Sequence, residues 1–188
     1  MIKQLLVVAS LVGCGQLQPD NSIYRTPSTG HQLEVKEPLK KIVDEFRGVC
    51  KEKNVAKCIK NWDRLQSIEA VPDEVINPNE EDKKNPKAGV CFMWTNASGE
   101  IVSSKIIVHE RYLTDEAVLR GVIYHELGHC TLELDHTAPS WVDLHMMNPW
   151  VYDDEIYDNH WDSLVKDEFN SSLKLVDSET ELNDVVRN

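Results

Sequence analysis

Positive charge is scarce in this chain: 20 Lys and Arg stand against 32 Asp and Glu, a formal net charge of −12. That balance opposes binding to nucleic acid or to anionic lipid headgroups, both of which reward a basic surface. The acidity names no partner of its own, since acidic surfaces commonly serve only solubility. Long apolar runs are also missing. Beyond the first dozen residues no stretch approaches the roughly 20 residues that a membrane-spanning helix needs. No internal repeat is present, and the length suits one domain with a real core.

The single apolar run, residues 5–12, follows Lys3 and reads as an export signal. It ends in Leu11, Val12, Gly13 and Cys14, which resemble the lipobox at which bacterial lipoprotein precursors are cut. The resemblance implies removal of residues 1–13 as a signal peptide and lipidation of Cys14. Several acyl chains, at about 0.8 kcal/mol per buried CH₂, would hold the mature chain on a membrane. The other reading is an ordinary secretory signal with an incidental cysteine. The expected place is the bacterial cell envelope, at the outer membrane or an extracytoplasmic face, with membrane contact through lipid alone.

Four further cysteines, Cys50, Cys58, Cys91 and Cys130, suggest two disulfides in an oxidising compartment. Spacing leaves all three pairings open, and free buried thiols as well. Cys50 with Cys58 would clip a local loop; Cys91 with Cys130 would tie a strand to a helix.

Residues 14–34 are polar, with Pro19, Pro27 and Gly30, and read as a flexible tether. The folded domain is expected over residues 35–172, with a polar acidic tail at 173–188. Pro38 opens a helical pattern through Leu39, Ile42, Val43 and Phe46, with Gly48 as its stop. A first strand falls within residues 62–71, an exposed loop at 77–87, and a hairpin of strands at 90–94 and 101–108. Thr114 and Asp115 cap a helix over residues 117–131, and another helix covers 161–169. This order gives an α+β domain with a small sheet.

One motif carries chemistry: His125, Glu126, Leu127, Gly128 and His129. Residues four apart share a helix face, so two imidazoles can meet one zinc ion at about 2.0–2.1 Å. Glu126 projects about 100° round from His125, placed to act as general base on metal-activated water. The surrounding helix is apolar (Val118, Leu119, Val122, Ile123), unlike a solvated helix that happens to carry two histidines. Gly128 is costly inside a helix and implies a close approach by some other group.

Residues 125–136 resemble the zinc helix of the metzincin metallopeptidases, whose pattern is H-E-x-x-H-x-x-G-x-x-H followed by a turn with a methionine beneath the metal. Leu144, His145, Met146, Met147, Asn148 and Pro149 are similar to that turn, with Met147 in the methionine's place. Two departures stand out. The family glycine falls on Leu132 and the third histidine on Asp135, with His136 one residue late; a wider turn would absorb the extra residue. His136 is assigned as third ligand ahead of Asp135, the other orienting a ligand. Pro149 occupies the place of a tyrosine found in many members, leaving Tyr152 or Tyr157 as weak oxyanion candidates. His31, His109 and His160 read as surface or cleft-edge residues, whereas His145 adjoins the turn.

The resemblance implies a metzincin-like zincin domain with a small sheet, an active-site helix and a C-terminal helix. It would bind one zinc per chain and hydrolyse peptide bonds, with substrate added as a strand beside residues 101–108. The alternative is a noncatalytic zinc-binding envelope lipoprotein that holds a protein partner.

Overall fold

The computed structural model describes residues 33–35, 37–137 and 144–185, with side chains described through residue 170. Cys14, the expected signal peptide, His31 and nearly all of the tether lie outside the described residues. Among those residues no helix is long and apolar enough to cross a membrane.

Apolar residues three and four apart make the first helix. Leu39, Ile42, Val43, Phe46 and Cys50 form one buried stripe along α1 (Leu39–Glu52), which Pro38 precedes. Gly48 does not end it. That glycine is exposed within the helix, with no atom near where a Cβ would stand. A second helix, α2 (Ala56–Trp62), follows at once, and a Cys50–Cys58 disulfide joins the two.

The expected strands are present with small changes in extent. β2 (Leu65–Val71), β3 (Gly89–Thr95) and β4 (Ile101–His109) join the two-residue β1 (Glu34–Val35) in a mixed sheet of order β1-β2-β4-β3. β1, β2 and β4 run parallel, and β3 pairs antiparallel with β4. β4 is therefore paired on both sides and cannot receive a further strand; among the described residues the sheet's edges are the short β1 and, beside β4, the open edge of β3. The expected loop at 77–87 holds a short helix, α4 (Glu80–Lys84), whose first amides are capped by Asn79. Before it comes α3 (Asp73–Ile76).

Asp115 caps α5 (Glu116–Leu127) by accepting from the Val118 amide at 3.1 Å. The later helix is much longer than its apolar pattern indicated: α6 spans Asp154–Val185.

The main core lies between one face of the sheet and α1, α2, α5 and α6. Phe46 is its hub, with ring centroids 6.4 Å from Trp62, 5.0 Å from Tyr124 and 5.2 Å from Phe169. Beside it, Glu45 accepts from Arg120 and from the Tyr124 hydroxyl, while the Arg120 guanidinium lies 3.7 Å from the Trp161 ring centroid. Val71, Ile76, Val90 and Ile107 make a small cluster on the sheet's other face.

Two helical glycines should respond oppositely to alanine. At Gly121 a Cβ would stand 2.1 Å from the buried Tyr157 ring, so Gly121→Ala should destabilise by about 1–3 kcal/mol. Gly48→Ala meets nothing and should stabilise by about 0.5–1 kcal/mol. Denaturant unfolding of both variants checks the pair; a neutral Gly121→Ala would refute the packing described.

Candidate metal centre

α5 delivers His125 and Glu126 on its last turn, and the backbone then widens into a π turn, Gly128–Leu132, that carries His129. The π turn accommodates one residue more than an α-helical turn. Glu133, with φ +57°, then reverses the chain in the left-handed conformation, so the reversal falls on Glu133 and not on Leu132. His136 thereby returns to the pair. The three Nε2 atoms stand 3.0 Å (125–129), 3.1 Å (125–136) and 3.2 Å (129–136) apart. Ligands at 2.0–2.1 Å around a tetrahedral ion stand about 3.3 Å from one another, so the spacing fits a metal.

The hydrogen bonds on the far side of two rings sharpen this. His125 Nδ1 lies 2.8 Å from the Met146 carbonyl, and His129 Nδ1 lies 2.6 Å from the Leu134 carbonyl. A carbonyl only accepts, so both Nδ1 atoms carry protons. In the neutral rings both Nε2 atoms are then bare lone pairs, facing each other at 3.0 Å. Such an arrangement is repulsive without a cation between them. Protons are poor candidates for that cation. Burial holds His125 well below the ordinary histidine range, lowers His129 to about 4 and lowers His136 as well. These three histidines could hold a metal ion.

Asp135 is exposed, while His136 is half-buried with its ring in the triad. The aspartate's charge still favours protonation of both His129 and His136.

Glu126 is 3% exposed. Its side chain lies against Gly89, where a Cβ would come within 2.6 Å of Glu126 Cγ. The carboxyl accepts a backbone hydrogen bond from Cys91. The register explains that bond: the His109 amide donates to the Ala88 carbonyl at 2.7 Å, so the alternate residues Gly89 and Cys91 turn their amides to the open edge. A disulfide between Cys91 and Cys130 fastens this strand to the turn beside His129. Burial pushes Glu126 up to about 8, against the smaller opposing effect of the Cys91 bond.

Met147 is buried, and its sulfur would stand 2.7 Å from a Cβ at Gly128. Glu168 approaches the same point, with Oε1 at 2.6 Å. These are the groups for which Gly128 leaves room. Glu168 is fully buried with no hydrogen-bond partner for either oxygen among the described residues, and burial holds it well above the carboxylate range. The turn bearing Met146 and Met147 is held by Thr137, whose amide donates to the Met147 carbonyl at 2.9 Å. The Thr137 hydroxyl also donates to Asn148 Oδ1 at 2.8 Å.

Tyr152 gives its hydroxyl to this turn, accepting from the His145 amide at 3.0 Å and from Asn148. Tyr157 packs on Gly121 and bonds the Tyr152 backbone. Both tyrosines are thus buried, Tyr152 bonded to the turn and Tyr157 packed on α5. His145 is half-buried beside the turn, with Nδ1 accepting from the Met147 amide at 3.2 Å, and its charge is felt at His125. His109 sits apart: Nδ1 caps Arg111 and Nε2 meets Asp73 at 3.0 Å. His160 is exposed.

Gly89 and the carbonyls of Leu134 and Met146 belong to the site without any signal in the motif. A carbonyl has no residue-type signature, and Gly89 is remote in sequence. No family model, curated protein or solved structure matches the chain.

Opposed titrations set the stability of the metal-free protein. His125, His129, His136 and His145 are held below 6.5, so the unfolded chain takes up more protons and stability falls as pH drops through 6.5. Glu126 and Glu168 are held above 4.5, so stability falls as pH rises from there, for Glu126 through about 8. The balance places the maximum between about pH 6 and 7. Urea midpoints of metal-stripped protein at pH 5, 6.5 and 8 test this, and a midpoint at pH 8 no lower than at 6.5 would show that the acids are not buried as described.

Proposed function

We propose that the chain is a metzincin-like zinc metallopeptidase of the bacterial cell envelope, tethered through a lipid on Cys14. The observation that carries the reading is the pair of imidazole lone pairs facing at 3.0 Å, their other nitrogens fixed by backbone carbonyls. His125, His129 and His136 would hold the ion, and three nitrogen ligands leave a fourth position for water or substrate. When bound, zinc supplies Lewis acidity that acidifies water and polarises a carbonyl.

Glu126 accepts the proton of the attacking water and passes it to the departing amine. Its placement supports this role: it follows His125 on the same turn and leans on the sheet's open edge. A pure binding site needs no base there. Peptide substrate would add along β3 beyond Cys91, whose outward amide Glu126 already occupies, at the outward backbone groups of Met93. Met147 supports the turn beneath the centre, packed against Gly128.

Two measurements test the reading. Purified protein should contain about one equivalent of zinc. His136→Ala should then lower zinc affinity far more than Asp135→Ala, for which about 10–100-fold is the upper range of an orienting residue. The reverse ranking would transfer the ligand role to Asp135.

Glu126→Gln should keep zinc and fold while losing about 10²–10⁴-fold in turnover of a peptide found by library digest. Equal turnover by the zinc-loaded variant would remove Glu126 as base. If neither protein cleaves any peptide with zinc bound, the noncatalytic partner-binding lipoprotein becomes the better reading.

A further inference from the structure

The reversal between His129 and His136 is made by a residue ill suited to it. Glu133 holds φ +57°, a conformation that costs a side-chain-bearing residue about 1 kcal/mol or more. Thr131, two residues before it, sits at a helix end, where carbonyls lack partners within the helix. Both needs are met by one side chain from outside the motif.

Asn61, at the end of α2, is fully buried. Its Nδ2 donates to the Thr131 carbonyl at 3.2 Å and to Glu133 Oε1 at 2.8 Å. Its Oδ1 accepts from Arg64 Nη1 at 3.2 Å, which fixes the amide with its donors toward the turn. One helical turn earlier, Lys57 Nζ lies 3.3 Å from Glu133 Oε2. α2 is itself a firm base, because Cys58 joins it to α1 and it packs directly against the π turn.

We propose that Asn61 is a positioning residue of the metal centre. By bridging Thr131 and Glu133 it holds the left-handed turn, and that turn sets how far His136 reaches back toward His125 and His129. This rests on the metal-binding reading above. The hydrogen bonds of Asn61 go to the turn and to Arg64, so it acts through the path of the chain.

The test is zinc affinity of the full chain by chelator competition, with the visible spectrum of the Co²⁺-substituted protein as a report on ligand geometry. Asn61→Ala should weaken zinc binding about 10–100-fold and alter the Co²⁺ spectrum. Adding Glu133→Gly to that variant should restore most of the affinity and the wild-type spectrum, since glycine takes the left-handed conformation unaided. A residue that merely fills the core would not be rescued at position 133, so a double variant no better than Asn61→Ala overturns the proposal. Wild-type affinity in Asn61→Ala overturns it too. Should the alanine variant fail to fold, Asn61→Asp keeps the volume and removes the donor, with the same loss and rescue expected. A wild-type chain that takes up no zinc overturns the metal reading itself, and the proposal falls with it.

Discussion

Two imidazole nitrogens turned toward each other with bare lone pairs at 3.0 Å are the constraint that organises the middle of this protein. Neither ring can relieve the contact by exchanging tautomers, because each has its other nitrogen donating to a carbonyl. Those carbonyls come from separate segments. Leu134 lies just past the π turn, and Met146 in the turn that precedes α6. Each segment must therefore be held for the rings to stay aimed, and the fold supplies a separate clamp for each. Asn61 and Lys57 grip the first. Thr137 and Tyr152 grip the second.

Strain collects around these clamps. Glu133 stands in the left-handed region, Gly128 gives up helix propensity, and Glu168 buries a carboxyl with no hydrogen-bond partner among the described residues. A residue in the left-handed region, as Glu133 is, costs about 1–3 kcal/mol and persists where the surroundings over-determine it. Binding of a structural zinc can be worth about 10–16 kcal/mol in small metal-folded domains, so a metal could offset several such costs. The disulfides act on the same region from both sides: Cys91–Cys130 fastens the edge strand to the turn beside His129, and Cys50–Cys58 steadies α2 beneath it.

What could be read from the sequence follows from the range of each interaction. The hairpin, the α1 stripe, the Asp115 cap and the pair His125–His129 rest on neighbours within a few residues, and periodicity or spacing makes them visible. α2 has no legible period because only two of its seven residues, Cys58 and Trp62, are apolar and buried. Gly48 misled because an exposed glycine inside a helix looks locally like a stop. The β4 edge was misplaced because alternation gives a strand its faces, whereas strand order depends on pairings between β2 and β4 that no local pattern encodes. The extra residue before His136 was visible as a departure. Its accommodation by a π turn and a left-handed glutamate depends on Asn61, 70 positions from the Thr131 it holds.

Burial of the acid and the histidines together determines what metal would do here. The triad histidines are already driven toward neutrality, so a metal would meet little proton competition from them near neutral pH. Glu126 is the opposite case: pushed up to about 8 by burial, it favours the protonated form, which does not accept a proton from water. A divalent charge at the neighbouring triad favours the carboxylate and draws its pKa back down. The same ion that neutralises the facing lone pairs would therefore also ionise the base. Gly89 and the Cys91 amide seat that carboxyl at the strand edge. Under the proposed reading, a metal beside the buried Glu126 would thus favour the form of that residue that can accept a proton.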